Sequence, residues 1–377
     1  MQNKKHVHIV SFDVPYPPNY GGVIDVFHKV RCLSEAGIAV TLHCFEYGRG
    51  NPKELNQYCD EVYYYKRTRN PFRLFNKRPF IVTTRSSEKL KKRLLKDKSP
   101  VLLEGLHVCD ILEDSRFTGR KIFYRESNIE HFYYRALANA VDKPLNKKYF
   151  LAEAAKLEKY EPVIRNATAL LVVNQDETVY FKHNYPENKV VFLPSFHENS
   201  EVTAIPGKGD FVMFHGNLSV AENNKAATYI AEEIAAKLPD VSFVIAGREP
   251  DSILKKMLKE YSNIRLIENP SMNEMTQLMR DAHIHLMITF QATGLKLKLL
   301  NTLYQGRFVI ANPYMVLGSC LEELCTICSN PTEIQSEIRK KMLQLFTEEE
   351  IENRKKDLNL LHSNKSKTET LLRLLFS

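Results

Sequence analysis

The chain has 377 residues, 44% of them apolar and 26% charged, with a formal net charge of +8 and a pI near 8.9. That length and apolar content argue against a single domain and for the sizeable cores of a soluble globular protein. The cationic balance favours anionic partners, namely phosphorylated small molecules, nucleic acid or an acidic membrane surface, without choosing among them.

From the N-terminus, MQNKKHVHIVSFDVPYPP starts polar and has only a short apolar run before Asp13, which fits neither a secretory signal nor a membrane span. A cytoplasmic location is the expectation. HVHIVSF (6–12) reads as a buried strand, and VIDVFHKVRCLSEAG sets Val23, Val26, Phe27, Val30 and Leu33 on one helical face with Gly37 as its stop. AVTLHCF (39–45) completes a parallel strand–helix–strand unit. Between strand and helix, PYPPNYGG (15–22) brings Gly21 and Gly22 to a helix N-terminus, where backbone N–H groups can approach a ligand oxygen. A plain turn is the alternative.

Residues 66–98 hold thirteen Lys or Arg against Glu88 and Asp97, interleaved with Phe72, Leu74, Phe75, Phe80 and Ile81. An anionic membrane surface is the expected partner, each basic side chain contributing on the order of 1 kcal/mol, which would place the protein peripherally at the inner face. A solvated basic face is the alternative. Further strands are predicted at PVLLEG (100–105), KIFYRE (121–126) and ALLVVN (169–174). RESNIEHFYYRAL (125–137) follows a strand end and gathers Ser127, Asn128, Glu130 and His131, suited to sugar hydroxyl contacts or proton handling. A helix capped by Ser127 or Asn128 would explain the same residues.

LPSFHENSEVTAIPGKGD (193–210) is rich in Pro, Gly and polar residues and reads as a linker. It divides an N-terminal unit, 1–200, from a C-terminal unit, 201–360, with 361–377 a candidate helix to pack back on the first. The second half restarts the alternation with FVMFHGN (211–217), VSFVIAGRE (241–249), NIRLIE (263–268), AHIHLMITF (282–290) and RFVIAN (307–312), separated by helices such as NNKAATYIAEEIAAKL (223–238). The expected fold is α/β, two Rossmann-like domains whose parallel sheets face a central cleft and bind ligands at the carboxyl ends of their strands.

In FHGNLSVAENNKAA (214–227), His215, Gly216 and Asn217 end a strand and Lys225 sits near the next helix start, local capping by Asn217 being the plain alternative. In QATGLKLKLLNTLYQGRFVIAN (291–312), Leu297, Leu300, Leu303 and Tyr304 form the buried stripe of a helix with Gly294, Lys296 and Lys298 at its mouth. Two cations there oppose the helix dipole and call for an anion, the alternative being that both snorkel to solvent.

Seven scattered cysteines read as reduced thiols, and CTIC (325–328) lacks a fourth zinc ligand, so no metal and no cofactor are expected. There is no GxxxxGK[ST], no GxGxxG after the first strand, and no nucleic-acid-binding pattern to accompany the charge.

In order and spacing, PPNYGG, RESNIEHFYY, VSFVIAG with NIRLIE, and GLKLKLLNTLYQGRFVIAN resemble the GT-B glycosyltransferases of the retaining family 4 type (glycosyltransferase group 1) over essentially the whole chain. The resemblance implies transfer of a sugar from a nucleotide-sugar donor to a lipid-linked or oligosaccharide acceptor in surface polysaccharide biosynthesis, with retention and without a metal. It implies donor contacts from Gly22, Asn217, Lys225, Gly294, Lys296 and Lys298, with Asn301 at the ribose, and an acceptor side of Gly21, Ser127, Asn128, Glu130 and His131. The chain departs from the family where two glutamates eight positions apart become Thr293 and Asn301, where Ser127 replaces a histidine, and where Asn217 replaces an arginine facing the diphosphate. Lys296 and Lys298 would restore the lost positive charge. The acceptor proton would pass to the leaving phosphate, so no general base is assigned. A sugar-nucleotide epimerase of the same fold and a non-catalytic sugar-nucleotide-binding protein are the alternative readings.

Overall fold

The computed structural model describes residues 4–68, 70–141, 143–291 and 296–377. Two compact units divide the described chain: the first runs to Glu198 and takes back Leu361–Ser377, and the second comprises 199–291 and Lys296–Leu360.

The first unit contains β1 (His6–Ser11), α1 (Gly21–Glu35), β2 (Ala39–Glu46), β3 (Glu61–Lys66), α2 (Glu88–Leu94), β4 (Val101–Glu104), β5 (Ile122–Arg125), α3 (Glu130–Ala140), α4 (Pro144–Tyr160), β6 (Ala169–Val172), α5 (Gln175–Asn184) and β7 (Lys189–Phe192). Its strands are all parallel, in the order β3-β2-β1-β4-β5-β6-β7. Because side chains alternate across a strand, Val10, Val101 and Leu103 enter one core while Val7, Ile9 and Leu102 enter the other. Both faces are thus covered, which is why these strands read as unbroken apolar runs. α1 stops where Gly37 takes φ +79°, with Ala36 N–H and Gly37 N–H closing onto the carbonyls of Cys32 and Ser34.

The second unit repeats the plan with β8 (Phe211–Asn217), α6 (Ala221–Tyr229), β9 (Ser242–Arg248), α7 (Ser252–Leu258), β10 (Ile264–Glu268), α8 (Met272–Asp281), β11 (Ile284–Met287), α9 (Leu297–Gln305), β12 (Phe308–Ala311), β13 (Thr326–Ile327), α10 (Pro331–Lys341) and α11 (Glu348–Leu361). Its parallel order is β10-β9-β8-β11-β12-β13. A methyl group on Gly247 would stand 1.9 Å from the Gly216 carbonyl oxygen, so only glycine lets β8 and β9 approach here.

Every predicted strand is present. The predicted helix at 223–238 is instead α6 followed by a π-turn at Ile230–Ile234 and a 3-10 turn at Ala235–Lys237. α12 (Asn364–Phe376) lies against α1, with Leu371 and Leu375 in the same core as Val26 and Val30. The segment read as a linker is less free than its composition suggests. Leu193, Phe196 and His197 are buried, and the carbonyls of Leu193, Pro194 and Ser195 accept hydrogen bonds from Arg125 and Lys367.

Candidate functional site

Open parallel sheets take ligands at the carboxyl ends of strands where the order reverses, which lies between β1 and β4 in the first unit and between β8 and β11 in the second. In the first unit, Asp13 follows β1 and fixes the glycine loop: its Oδ2 accepts from the Tyr20 hydroxyl at 2.6 Å and its Oδ1 from Val14 N–H at 2.8 Å. α1 then begins at Gly21 with no side-chain cap and no acid in its first turn. A methyl on Gly22 would meet the Phe12 ring at 2.7 Å, so the second glycine is there for close packing. The Phe12 ring in turn stacks on His107, centroids 5.1 Å apart.

Beyond β4, Gly105 (φ +80°) carries the chain to His107, whose buried Nδ1 has no hydrogen-bond partner among the described residues and lies 3.7 Å from Glu130 Oε1. Burial pushes the Glu130 carboxyl up to about 8, against the pull of Arg85, and holds the His107 imidazole well below its usual range. Both shifts favour a carboxylic acid beside a neutral imidazole at neutral pH. The buried Arg85 guanidinium donates to the Phe12 carbonyl (2.8 Å) and the Tyr47 hydroxyl (3.3 Å). Ser127 Oγ lies 3.6 Å from where a side chain on Gly105 would begin. Glycine loop, Ser127 and Glu130 are therefore linked through Phe12, Gly105 and His107.

Two expectations change here. α3 is capped by neither Ser127 nor Asn128, which are half-buried; its N-cap is Ile129, without a side-chain bond. His131 is spent on the core: its Nδ1 lies 3.2 Å from Glu161 Oε2, while the Tyr180 and Tyr185 hydroxyls both donate to Glu161 Oε1 at 2.7 Å. The basic stretch 66–98 also sorts into two sets. Ile81, Arg85 and Lys91 are buried, and Arg93 lies 4.0 Å over the Tyr63 ring, whereas Phe72 and Phe75 are 80% and 87% exposed.

In the second unit, Lys298 is the second residue of α9, and Lys296 is its N-cap residue with no acid in the first turn. Lys298 does not snorkel. Its half-buried side chain runs inward so that Nζ donates to the His215 carbonyl at 2.9 Å, approaches Asn223 Oδ1 at 3.4 Å, and stands 4.4 Å over the Phe214 ring. Burial lowers this ammonium to about 8, with the Glu222 carboxylate opposing. The Glu222 carboxylate accepts from Thr289 Oγ1 (2.8 Å) and from Phe290 N–H, joining the start of α6 to the loop after β11. Lys225 Nζ stands 4.4 Å over the Phe290 ring. The ends of β8 and β11 and the starts of α6 and α9 are thus tied together around Lys298, Lys225 and the Glu222 carboxylate.

Asn217 is exposed and closes a local turn, its Oδ1 accepting from Ser219 N–H (3.1 Å) and Oγ (2.8 Å). Asn301 accepts from Asn199 Nδ2 at 2.8 Å, and Gln305 Nε2 donates to Asn199 Oδ1 at 3.2 Å. Thr293 and Gly294 lie outside the described residues. Sequence reading missed Phe12, Arg85, His107, Glu222 and Asn223. For His107 a signal existed, a histidine two residues past a glycine at a strand end.

Residues 209–348 match the family model described as glycosyl transferases group 1. A protein in the cps region of Klebsiella pneumoniae, described as an uncharacterized 44.6 kDa protein, is 28% identical over 332 residues, which span 80% of this chain and 81% of the relative. Among solved structures, sucrose-phosphate synthase from Thermosynechococcus elongatus aligns with a TM-score of 0.71 at 12% identity, covering 98% of each chain. TarM aligns at 0.70 and 10% identity, over 100% of this chain and 99% of that one. HepE from Anabaena, solved with UDP and glucose, aligns at 0.63 and 9% identity, over 98% and 99%.

Proposed function

We infer that this chain, a GT-B glycosyltransferase by its fold and by the group 1 domain in its second unit, transfers a sugar from a nucleotide-sugar donor to a lipid-linked or oligosaccharide acceptor in surface polysaccharide assembly. The observation that carries the reading is the cationic mouth of α9. A nucleoside diphosphate leaves with developing negative charge, and a helix N-terminus that carries Lys296 and Lys298 and no acid in its own first turn suits it, the Glu222 carboxylate near Lys298 being the opposing charge. In this reading Asn217 and Lys225 flank the diphosphate, and Asn301 reaches the ribose by exchanging Asn199 for a hydroxyl. The transfer retains configuration, with the acceptor proton passing to the departing phosphate.

In the first unit Gly22 contributes a donor contact, Gly21, Ser127 and Asn128 take the acceptor side, and protonated Glu130 donates a hydrogen bond to an acceptor oxygen. His131 serves only by holding α3 in place. No metal or cofactor takes part in this reading, the lysines neutralising the diphosphate charge that a divalent ion would otherwise neutralise. A thermal-shift screen of nucleoside diphosphates and nucleotide sugars tests the donor claim, because a ligand bound only by the folded state raises the melting temperature by mass action. A rise with one nucleoside diphosphate and its sugars is expected; no rise with any of them at millimolar concentration would reject it.

The same reading seats the enzyme on an anionic membrane through the exposed half of the basic stretch. Phe72 and Phe75 project into solvent beside Lys66, Lys77 and Arg78, all exposed, and Lys156 anchors the turn from within by donating to the Leu74 carbonyl at 2.7 Å. No helix among the described residues is long and apolar enough to cross a membrane. Flotation with phosphatidylglycerol vesicles should recover the protein, and Phe72→Ser/Phe75→Ser should reduce recovery several-fold. Equal recovery on neutral vesicles would count against the idea.

A further inference from the structure

Far from the ligand loops, at the N-terminal end of β1, three metal-ligating side chains meet. His6 and His8 are two apart on one strand, so their rings share a face of the sheet, with centroids 4.6 Å apart. Asp97, from the turn between α2 and β4, completes the group: among the described residues, His6, His8 and Asp97 each offer a ligand atom within 4.8 Å of the other two. We propose that His6, His8 and Asp97 bind a divalent transition-metal ion, best suited to Zn(II), which pins the turn after α2 to the first strand.

The hydrogen bonds around the group resemble those that orient metal ligands. Asp97 Oδ1 is occupied by Ser99 N–H (2.8 Å) and Arg120 Nη2 (3.3 Å), which leaves Oδ2 aimed at His8 Nε2, 2.9 Å away. The other His8 nitrogen is held at 3.0 Å by His43, which is itself 2.9 Å from the Tyr65 hydroxyl. Such outer partners fix ring orientation and tautomer in metal sites. The two His6 nitrogens face the hydroxyls of Ser99 and Thr41, each at 2.9 Å, so coordination exchanges one of these contacts and the His8–Asp97 hydrogen bond for bonds to the ion. In a tetrahedral zinc site the ligand atoms stand roughly 3.4 Å apart, so the group, now within 4.8 Å, has to draw in when the ion binds. Two imidazoles, one carboxylate and a water make up the four-coordinate set that zinc accepts. His6 and Asp97 are only half-buried, which gives the ion a way in.

The location sets the role. β1 runs from His6 to Ser11 and the glycine loop follows its other end, so this ion would not touch the reacting sugar. Cobalt titration of the untagged, chelator-treated full chain tests the site. The expected result is the visible d–d absorption of tetrahedral Co(II), saturating at one equivalent and displaced by Zn(II), with affinity weakened at least about tenfold in both His6→Ala and Asp97→Asn. These half-exposed positions are chosen over His8, whose loss risks the fold, and circular dichroism confirms that each variant is folded. Absence of the absorption in the wild-type chain overturns the proposal. So does absorption that survives unchanged in both variants, which would assign the metal to other histidines or cysteines.

Discussion

Asp25→Asn should destabilise the first unit by about 3–5 kcal/mol, the cost of removing one partner from a buried charge cluster. Asp25 sits on the buried face of α1 and accepts from Lys29 (2.9 Å), from Arg125 Nε and Nη2 (3.1 Å each) and from Phe196 N–H (2.7 Å). Lys29 also donates to both oxygens of Glu104, at 2.7 and 2.9 Å. Two anions therefore balance two cations where β4 and β5 end and where the chain leaves the unit at Leu193–Phe196. With Asp25 neutral, Arg125 keeps only backbone carbonyls among these partners. The two acids differ in pH behaviour. Burial raises both, but at Asp25 the Arg125 and Lys29 charges overcome it and hold the carboxyl far below its usual range, whereas Glu104 stays raised. A depressed carboxyl contributes stability that is present above its unfolded value, about 3.9, and lost as pH falls below it. Asp25→Asn should therefore flatten the acid limb of stability, while Glu104→Gln, replacing a carboxyl whose burial outweighs the pull of Lys29 on its charged form, should cost less. Urea unfolding from pH 3 to 7, followed by a probe in the first unit, makes the comparison. A loss under about 1 kcal/mol for Asp25→Asn would mean that the cluster is not held as a charge-balanced set.

How much of this was legible depended on whether the cause was local. Buried parallel strands need long apolar runs, so β1, β2, β4, β5, β6 and the main strands of the second sheet could be read directly. β3 and β7 were missed because EVYYYK and KVVF sit at the two edges of the first sheet and are partly exposed, and β13 because it is two residues long. The helix read through 223–238 loosens after Tyr229 for a reason seated elsewhere. Asn263 Nδ2 donates to the carbonyls of Ala235, Leu238 and Val241, supplying partners that let the helix end through irregular turns. Side-chain chemistry followed the same rule. Strand-end position picked out Glu130, but its neutral state comes from burial beside groups from other elements, and Arg85 was hidden in a run of charges that looked uniformly solvated. His131 shared the strand-end signal and serves the core, because Glu161 arrives from the end of α4 and Tyr180 and Tyr185 from α5 and its end.

Nucleoside diphosphate affinity should fall as pH rises above about 8 and lose that dependence in Lys298→Ala. The free-state Lys298 ammonium is lowered to about 8 because its stem and head are buried between Phe214, the His215 carbonyl and Asn223. A lysine lowered in this way costs stability while charged; that cost is fully present below about 8 and is relieved as pH rises toward the unfolded value near 10.4. A bound diphosphate reverses the preference, since it stabilises the ammonium and raises its pKa. Binding then takes up a proton in the interval between the free and bound values, and affinity declines there by up to about tenfold per pH unit. Between pH 7 and 8 the lysine is mostly protonated in both states and the curve is nearly level. Replacing Lys298 by Ala should weaken binding by about 1.5–3 kcal/mol near pH 7.5, the range for a hydrogen bond to a charged group, and leave a flat profile above pH 8. A purely structural lysine behaves differently: its loss would lower the melting temperature by freeing α9 from β8, without changing the slope of affinity against pH. Calorimetric titration with whichever of UDP, GDP and dTDP raises the melting temperature most, repeated in buffers of different ionisation enthalpy, reads the proton uptake directly. Uptake that is absent in the wild type, or equal in the wild type and Lys298→Ala, would move the diphosphate away from the mouth of α9.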